Sequence, residues 1–186
     1  MKIIVAMTGA TGSILGIRLL EALKDCGIET HLVMSEWAEK TMRIETSYHP
    51  DDVKKLASHV YAPDNQASLI SSGSFRVDGM VIAPCSMKTL AAIRVGFADS
   101  LIPRAADVIL KERKKLVLLP RELPISSIHI ENMLGLSNAG AVILPPMLTF
   151  YNKPSTLDDV INHVVARTMD QFGIEHNLAK RWLSHQ

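Results

Sequence analysis

Apolar residues gather in five short runs along the chain, and segments with helical spacing separate these runs. The runs cover residues 3–7, 30–34, 80–84, 116–120 and 141–145. None of them alternates polar with apolar positions, and such continuous runs are typical of strands buried on both faces of a parallel sheet. The alternation of strands with helices predicts an α/β fold: a doubly wound, Rossmann-like or flavodoxin-like parallel sheet flanked by helices.

The segments between the runs complete this outline. The strongest helical pattern is an apolar stripe near the carboxyl end, made by Leu157, Val160, Ile161, Val164, Val165, Met169 and Phe172. Residues 102–115 predict another helix, which carries several basic residues. Residues 46–75 are the least regular part and are expected to pass over one edge of the sheet. No repeat or linker interrupts the chain, so residues 1–186 are predicted to form a single domain.

Composition narrows the classes of function. The 186 residues are 47% hydrophobic and carry a formal net charge of +1, so no broad electrostatic field favours nucleic acid or an anionic membrane as a partner. No apolar run approaches the ~20 residues that a membrane span requires. The two cysteines, Cys26 and Cys85, form neither a disulfide framework nor a metal-binding spacing. This usage indicates a reduced, cytoplasmic protein without a structural metal.

Ligands of an open parallel sheet bind outside the carboxyl ends of its strands, so the residues that follow each run are the candidates for a site. Residues 8–16 read TGATGSILG, a glycine-rich turn that opens a helix and whose N–H groups can hold a phosphate. The other runs lead to polar side chains, namely Ser35, Ser86, Lys88, Thr89, Arg121, Glu122 and Tyr151. The pattern predicts one polar site at this edge. Each residue also has a structural interpretation, because serine and threonine cap helices and an arginine–glutamate pair is common on surfaces.

The spacing of the glycines bears on which nucleotide the turn would hold. Gly9, Gly12 and Gly16 follow the pattern GxxGxxxG, which differs from the GxGxxG fingerprint of dinucleotide-binding folds. The turn does look like the opening of a short-chain dehydrogenase, a class that requires a tyrosine and a lysine four residues apart. The residues four positions after Tyr48, Tyr61 and Tyr151 are Asp52, Asn65 and Ser155. The oxidoreductase interpretation therefore lacks its proton-transfer pair.

The basic helix admits two interpretations. Arg104 and Lys111 are seven residues apart, which places them on one face of the helix, about 10 Å apart along its axis. A solvated basic face is the simpler interpretation. The rest of the helix is strongly apolar, however, and a partly buried arginine and lysine require an anion, which a phosphate would supply.

Several segments resemble the UbiX-like flavin prenyltransferases, a family historically described as aromatic acid or phenylacrylic acid decarboxylase subunits. The segments are GSF at 73–75, APCSMKTLAAI at 83–93, RAADV at 104–108, LKER at 110–113, PRE at 120–122, IHIENML at 128–134 and the terminal pair Arg181 and Trp182. They follow the family's order and cover nearly the whole chain, so the resemblance is specific.

The resemblance implies a reaction and its partners. A dimethylallyl group passes from dimethylallyl phosphate to N5 and C6 of reduced FMN, without a metal ion, and the product is prenylated FMN. A separate UbiD-type decarboxylase then uses that product. The resemblance also implies a homo-oligomer, with a dodecamer as the usual assembly of the family.

The same resemblance implies the site residues. The FMN contacts map to Gly9, Ala10, Thr11, Ser35, Ser86, Met87, Lys88, Thr89 and Arg121. The prenyl-phosphate contacts map to Tyr151 and Arg167, and the catalytic roles map to Glu122, Lys111, Arg104, Glu45 and Trp182. One departure is Thr11, which stands where the family often has serine; the hydroxyl is retained and a methyl group is added.

Two other functions fit a flavin-binding sheet. The first is an FMN-dependent decarboxylase in its own right, acting on aromatic acids or on a peptidyl cysteine. Flavin-containing cysteine decarboxylases carry a Pro-Ala-Ser-Ala-Asn-Thr-like segment, whereas residues 83–88 read APCSMK and lack the asparagine. The second is a non-catalytic carrier that stores and delivers FMN, which would not require Arg104, Lys111, Glu122 and Arg167 together.

Overall fold

The computed structural model describes residues 1–182, and residues 183–186 at the end of the expected domain lie outside the described residues. The strands are β1 (Lys2–Met7), β2 (Glu29–Met34), β3 (His59–Tyr61), β4 (Gly79–Cys85), β5 (Lys115–Pro120) and β6 (Val142–Ile143). They form one parallel sheet in the order β3-β2-β1-β4-β5-β6. The strand order reverses between β1 and β4, and open α/β sheets bind ligands beside such a reversal.

Helices cover both faces of the sheet, which confirms the predicted doubly wound α/β fold. They are α1 (Ser13–Asp25), α2 (Glu36–Glu45), α3 (Pro50–Lys54), α4 (Met87–Val95), α5 (Leu101–Lys111), α6 (Ser127–Asn138) and α7 (Leu157–Asp170), with a short 3-10 helix at Leu69–Ser71. One core lies between the sheet and α1, α2, α3 and α7, and a second core lies between the opposite face and α4, α5 and α6.

The side chains of β1 show why the predicted strands are continuously apolar. Ile3, Val5 and Met7 point into the core beneath α1 and α7, whereas Ile4 and Ala6 point into the core beneath α4 and α5. Because successive side chains of a strand face opposite sides of the sheet, a strand covered on both faces favours apolar residues throughout. The strands predicted at 3–7, 30–34, 80–84 and 116–120 are buried in this way.

The strand expected at 141–145 differs from the prediction. Only Val142 and Ile143 pair with β5, and both side chains are partly exposed. β6 is an edge strand, and Pro145 and Pro146 lack the N–H groups that would extend its ladder. The fifth run is therefore a short strand that is covered incompletely.

The opposite edge of the sheet is formed by β3, which the sequence did not predict. This strand pairs in parallel with β2 and comes from the irregular residues 46–75. His59 and Val60 are exposed, so β3 lacks the apolar pattern that marked the other strands. Residues 46–75 thus supply an edge strand, and Ile70 and Phe75 from the same segment pack on the face of the sheet that α5 covers.

Local signals explain where the last helices begin and end. α5 ends at Lys111, before the predicted end at 115, because Arg113 adopts a left-handed φ of 55°. α7 begins with a capping box in which the Thr156 hydroxyl accepts from the Asp159 N–H and the Asp159 carboxylate accepts from the Thr156 N–H. Across residues 1–182, each helix falls short of the length and apolar character that a bilayer span requires.

Candidate functional site

The carboxyl ends of β1, β2 and β4 border a cavity of about 250 Å³, the strand-end cavity. Its wall comes from the turn after β1, from the starts of α2 and α4 and from the segment that leads into α5. The lining residues are Thr8, Gly9, Ser35, Trp37, Ser86, Lys88, Thr89, Ala92, Asp99, Ser100, Ile102 and Pro103. The cavity lies where the strand order reverses, which is the predicted edge of the sheet.

Thr8 joins the two central strands at this cavity. Its hydroxyl donates to the Pro84 carbonyl at 2.8 Å and accepts a hydrogen bond from the Ser86 N–H at 2.8 Å. The side chain is only 2% exposed, so both bonds are shielded from water. A buried hydroxyl that donates and accepts in this way fixes the turn after β4 against the end of β1. The start of α4 is thereby held in the cavity wall.

Two serines of the cavity wall begin helices. The Ser35 hydroxyl accepts from the Ala38 N–H at 3.1 Å and caps α2, and the Ser86 hydroxyl accepts from the Thr89 N–H at 3.3 Å and caps α4. Both serines therefore cap helices, which is the structural interpretation that the sequence left open for them. Both helices also direct their partially positive N-terminal ends toward the cavity, and Lys88 adds a cation in the first turn of α4. This arrangement suits an anion such as a phosphate.

The cavity brings together five of the nine predicted FMN contacts, which are Gly9, Ser35, Ser86, Lys88 and Thr89. The other four lie outside its lining. Met87 packs against the core beneath α4, and Ala10 and Thr11 lie in the turn before α1. Arg121 is exposed after β5, where its N–H donates to the Cys85 carbonyl at 3.1 Å.

The carboxylate of Glu45 occupies the N-terminus of α1. It accepts hydrogen bonds from the Thr11 hydroxyl at 2.6 Å, the Gly12 N–H at 2.9 Å and the Ser13 N–H at 2.5 Å. Burial raises the pKa of Glu45, but these hydrogen bonds outweigh it and hold the pKa below its ordinary value. The Gly12 and Ser13 N–H groups of the glycine-rich turn thus hold a carboxylate in the single chain, and the predicted phosphate contacts at Gly9, Ala10 and Thr11 remain a prediction. The positive end of a helix attracts either anion.

A second cavity of about 280 Å³, the C-terminal cavity, lies between α7 and residues 176–182. Three predicted site residues line it, namely Tyr151, Arg167 and Trp182. The rings of Tyr151 and Trp182 meet edge to face, with centroids 5.1 Å apart. Arg167 Nη1 lies 2.8 Å from Asp170 Oδ2, with about half of the arginine side chain exposed. The C-terminal cavity thus combines an aromatic wall with a guanidinium group.

Two further residues of the C-terminal cavity, His163 and Asp170, were missed by the sequence. His163 is buried, its Nε2 lies 3.5 Å from the Tyr151 hydroxyl, and burial lowers the pKa of His163 so that the ring is neutral at pH 7. Burial raises the pKa of Asp170, but the hydrogen bond from Arg181 and the charge of that group bring the pKa below its ordinary value. Asp170 therefore stays ionised as the partner of Arg167. Arg167 and Asp170 are three residues apart on one helix, and this spacing could have predicted their ion pair from the sequence.

The basic residues of α5, Arg104 and Lys111, do not line either cavity within one chain. Arg104 donates to the Ser71 carbonyl at 3.2 Å and to the Asp107 carboxylate at 2.9 Å. Lys111 lies 2.5 Å from the Glu112 carboxylate at the far end of the helix. Lys111 is about 13 Å along the helix from Ile102, which lines the strand-end cavity. Both cations are paired with carboxylates, so in the single chain the basic face is accounted for without a phosphate.

The ends of β4 and β5 carry two groups with acid–base or nucleophilic capability. Cys85 is fully buried, and burial raises the pKa of its thiol to about 12, so it stays protonated and is not a nucleophile. Glu122 is exposed, and its carboxylate accepts a hydrogen bond from the Leu123 N–H at 3.2 Å. Of these two groups, only Glu122 is exposed to solvent.

Sequence reasoning missed several residues of the strand-end cavity. Trp37 follows Ser35 by two positions, and its place directly after a strand end was a usable signal. Asp99 and Ser100 come from the turn between α4 and α5, and Pro103 comes from the first turn of α5. No local pattern places that turn near the end of β1, because the two segments are remote in the sequence.

Comparison with known protein families agrees with the geometry. The family model described as Flavoprotein matches residues 1–169. A relative from Escherichia coli, described as a "Probable UbiX-like flavin prenyltransferase", is 60% identical over 183 residues, which cover 98% of this chain and 93% of the relative.

Solved structures give the same result. A dodecameric FMN-dependent UbiX-like decarboxylase from Escherichia coli O157:H7 has a TM-score of 0.97 at 59% identity, covering 99% of this chain and 100% of that one. AnUbiX in complex with FMN and dimethylallyl pyrophosphate has a TM-score of 0.97 at 53% identity, covering 100% of this chain and 98% of that one. The family match, the sequence identity and the shared fold show that this chain belongs to the UbiX-like flavin prenyltransferase family.

Proposed function

We propose that this protein transfers a dimethylallyl group from dimethylallyl phosphate to N5 and C6 of reduced FMN, and that a UbiD-type decarboxylase receives the prenylated FMN. The strand-end cavity carries the proposal, because its hydroxyl groups and Lys88 suit a flavin phosphate in a chain of this family. The relative AnUbiX, solved with FMN and dimethylallyl pyrophosphate, supports the same pair of substrates. The two free cysteines suit a reducing compartment, so we also propose a cytoplasmic location.

The lining of the strand-end cavity fits FMN chemically. Ser35 and Ser86 present hydroxyls at two helix N-termini, and Lys88 adds a positive charge, so this side of the cavity suits the phosphate. Trp37 and Ile102 offer apolar surface on which a flavin ring can pack. Bound reduced FMN supplies the electron-rich atoms that attack the allylic carbon, so no protein nucleophile is required. The cavity volume of about 250 Å³ is small for a whole flavin, so part of FMN is expected to lie against another surface.

The C-terminal cavity is the proposed site of the prenyl phosphate. The Arg167 guanidinium and the Tyr151 hydroxyl can both donate to phosphate oxygens. As the allylic C–O bond breaks, negative charge develops on the phosphate and positive charge develops on carbon. The Arg167 guanidinium stabilises the negative charge on the phosphate, and the faces of Tyr151 and Trp182 stabilise the positive charge on carbon. When the new ring closes, the alkene of the dimethylallyl group gains a proton and C6 loses one, and Glu122 is the proposed acceptor of the proton that leaves C6.

Several copies of the chain are proposed to meet at the active site. The two cavities have separate linings, and Lys111 belongs to neither of them. Large apolar side chains are exposed on α6 and before Tyr151, namely Ile128, Ile130, Leu134, Met147, Leu148 and Phe150. Exposed apolar surface of this kind marks protein interfaces. We propose a homo-oligomer, a dodecamer like the Escherichia coli O157:H7 relative, in which Arg104 and Lys111 approach the cavities of neighbouring chains.

The second candidate function is an FMN-dependent aromatic acid decarboxylase, because the Escherichia coli O157:H7 relative is described as a decarboxylase. The deciding experiment is mass spectrometry of the flavin after anaerobic incubation of the protein with reduced FMN and dimethylallyl phosphate. We expect a flavin that has gained one dimethylallyl unit, and no CO2 from 4-hydroxybenzoate. An unmodified flavin with CO2 release would support the decarboxylase. An unmodified flavin without CO2 would support the carrier.

Glu122→Gln separates the transferase from a carrier. We expect this variant to keep FMN binding and to form the prenylated product at least about tenfold more slowly, a barrier increase of about 1.4 kcal/mol. Glu175→Gln, at an exposed glutamate remote in sequence from the strand ends, is the matched control and should keep the wild-type rate. Lys111→Ala should instead weaken prenyl-phosphate binding. Single-turnover anaerobic kinetics measures these effects, and wild-type rates and substrate affinity in both variants would overturn the proposed roles.

A further inference from the structure

A cluster of two histidines and one glutamate lies at the β3 edge of the sheet. Glu29 and His31 are on β2, and His59 is on β3. His31 is directly opposite His59 in the parallel pairing, and Glu29 precedes His31 by two residues. Residues two apart on a strand, and residues paired across parallel strands, point to the same face of a sheet. The three side chains therefore converge. Glu29 begins β2, roughly 20 Å along the strand from Ser35 in the strand-end cavity.

The ligand atoms of the cluster are close enough to share one ion. Glu29 Oε1 lies 3.1 Å from His31 Nε2 and 3.4 Å from His59 Nε2, and all three atoms lie within 4.8 Å of one another. A tetrahedral zinc ion, bound at about 2.0–2.1 Å, separates its ligand atoms by about 3.3 Å. Two of the separations already match this value. The His59 side chain is 54% exposed and is free to adjust the third.

We propose that Glu29, His31 and His59 bind a Zn²⁺ ion that keeps a water molecule in its fourth position. Two imidazole nitrogens and one carboxylate oxygen form a donor set that zinc prefers. His31 is buried and His59 is exposed, so the fourth position faces solvent. The proposal is independent of prenyl transfer, because none of the three residues belongs to either cavity.

The surroundings of His31 hold its ring in the orientation that the metal requires. Its Nδ1 lies 2.9 Å from the Tyr61 hydroxyl, and an Nδ1–H that donates to Tyr61 leaves the lone pair of Nε2 for a metal. Phe75 contacts the His31 ring edge-on, with centroids 5.1 Å apart. His59 stacks on the same ring at 4.7 Å. Tyr61 and Phe75 therefore hold the buried ligand in place before the ion arrives. Because a nitrogen lone pair lies in the plane of its ring, His59 has to leave this stack, and Lys2 has to release Glu29, before all three ligands can bind one ion.

Lys2 competes for the carboxylate of the cluster. Its Nζ lies 3.2 Å from Glu29 Oε1 and 5.5 Å from the centre of the Phe75 ring. Both partners of this ion pair are partly exposed to solvent, so exchanging it for a metal bond costs little. Removal of the lysine charge should therefore strengthen metal binding. A cluster held only by hydrogen bonds would gain no metal affinity from that change.

Calorimetric titration of the untagged, chelator-treated full chain with Zn²⁺ alone at pH 7.5 tests the proposal. We expect one ion per chain, a dissociation constant at least about tenfold weaker in His59→Ala and a several-fold tighter constant in Lys2→Met. His49→Ala, which removes an exposed histidine beside Asp51, is the matched control and should bind like the wild type. Co²⁺ in place of Zn²⁺ should give the visible absorption of a tetrahedral site.

Some outcomes would overturn the proposal. Zn²⁺ that binds with a dissociation constant weaker than ~100 μM, or equally well to wild type and His59→Ala, would show that the cluster is not a metal site. His59 is exposed, so its variant is expected to fold, and circular dichroism checks this. Glu29→Gln keeps the shape of the side chain while removing its charge. It provides a second variant, for which we expect the same loss of Zn²⁺ affinity as for His59→Ala.

Discussion

Removal of the Thr8 hydroxyl tests how the strand-end cavity is built. Thr8→Val keeps the branched shape of the side chain but loses the bond to the Pro84 carbonyl and the bond from the Ser86 N–H, both 2.8 Å long. The Pro84 carbonyl still accepts from the Thr8 N–H at 3.2 Å. The Ser86 N–H is therefore the group that loses its partner.

The structure sets the size of the effect. Two lost hydrogen bonds of about 1 kcal/mol each predict a decrease of about 2 kcal/mol in the free energy of unfolding, which is about 30-fold in the folding equilibrium. The unpaired Ser86 N–H is expected to shift toward water and to move the start of α4. Because Ser86, Lys88 and Thr89 line the strand-end cavity, FMN affinity should fall at least about tenfold, or about 1.4 kcal/mol.

Two measurements check this prediction. Urea denaturation followed by circular dichroism gives the free energy of unfolding, and quenching of flavin fluorescence gives the FMN dissociation constant. Thr8→Ser is the matched control, because it keeps the hydroxyl and loses only a methyl group. Thr8→Val with wild-type stability and wild-type FMN affinity would refute the reasoning. Lower stability with unchanged FMN affinity would limit the role of Thr8 to folding.

Two further predictions concern the elements that support the cavities. Gly16→Ala should lower the free energy of unfolding by about 1–3 kcal/mol in urea, because the new Cβ would clash with the Ala83 carbonyl oxygen in β4. Gly135→Ala, whose Cβ first meets a flexible arginine side chain, is its control and should cost less. Asp159→Asn should lower the Tm at pH 7, because hydrogen bonds from Ser155 and its neighbour lower the pKa of Asp159 to about 2. The Tm difference should shrink from about pH 4 to about pH 2, as the wild-type carboxylate is protonated, and a pH-independent difference would contradict this.

The pattern of apolar residues was sufficient to predict the sheet and the edge that carries the strand-end cavity. A strand covered on both faces favours apolar residues throughout, so β1, β2, β4 and β5 could be predicted from continuous apolar runs. The residues directly after these strands then indicated the site, and Gly9, Ser35 and Ser86 do line the cavity. Their placement at one edge could be predicted because it needs only the chain direction and the rule that parallel strands end at one edge.

The contacts between polar groups depend on the packing of remote segments. Glu45 fills the N-terminus of α1 from 33 residues beyond Gly12, and no local pattern encodes that contact. The approach of His59 to Glu29 depends on β3, whose exposed residues carry no apolar signal. Tyr151 meets Trp182 only because α7 lies between them and folds back against the sheet. Periodicity reports what a residue does within its own element, whereas contacts between remote segments depend on strand register and helix packing, which the whole fold sets.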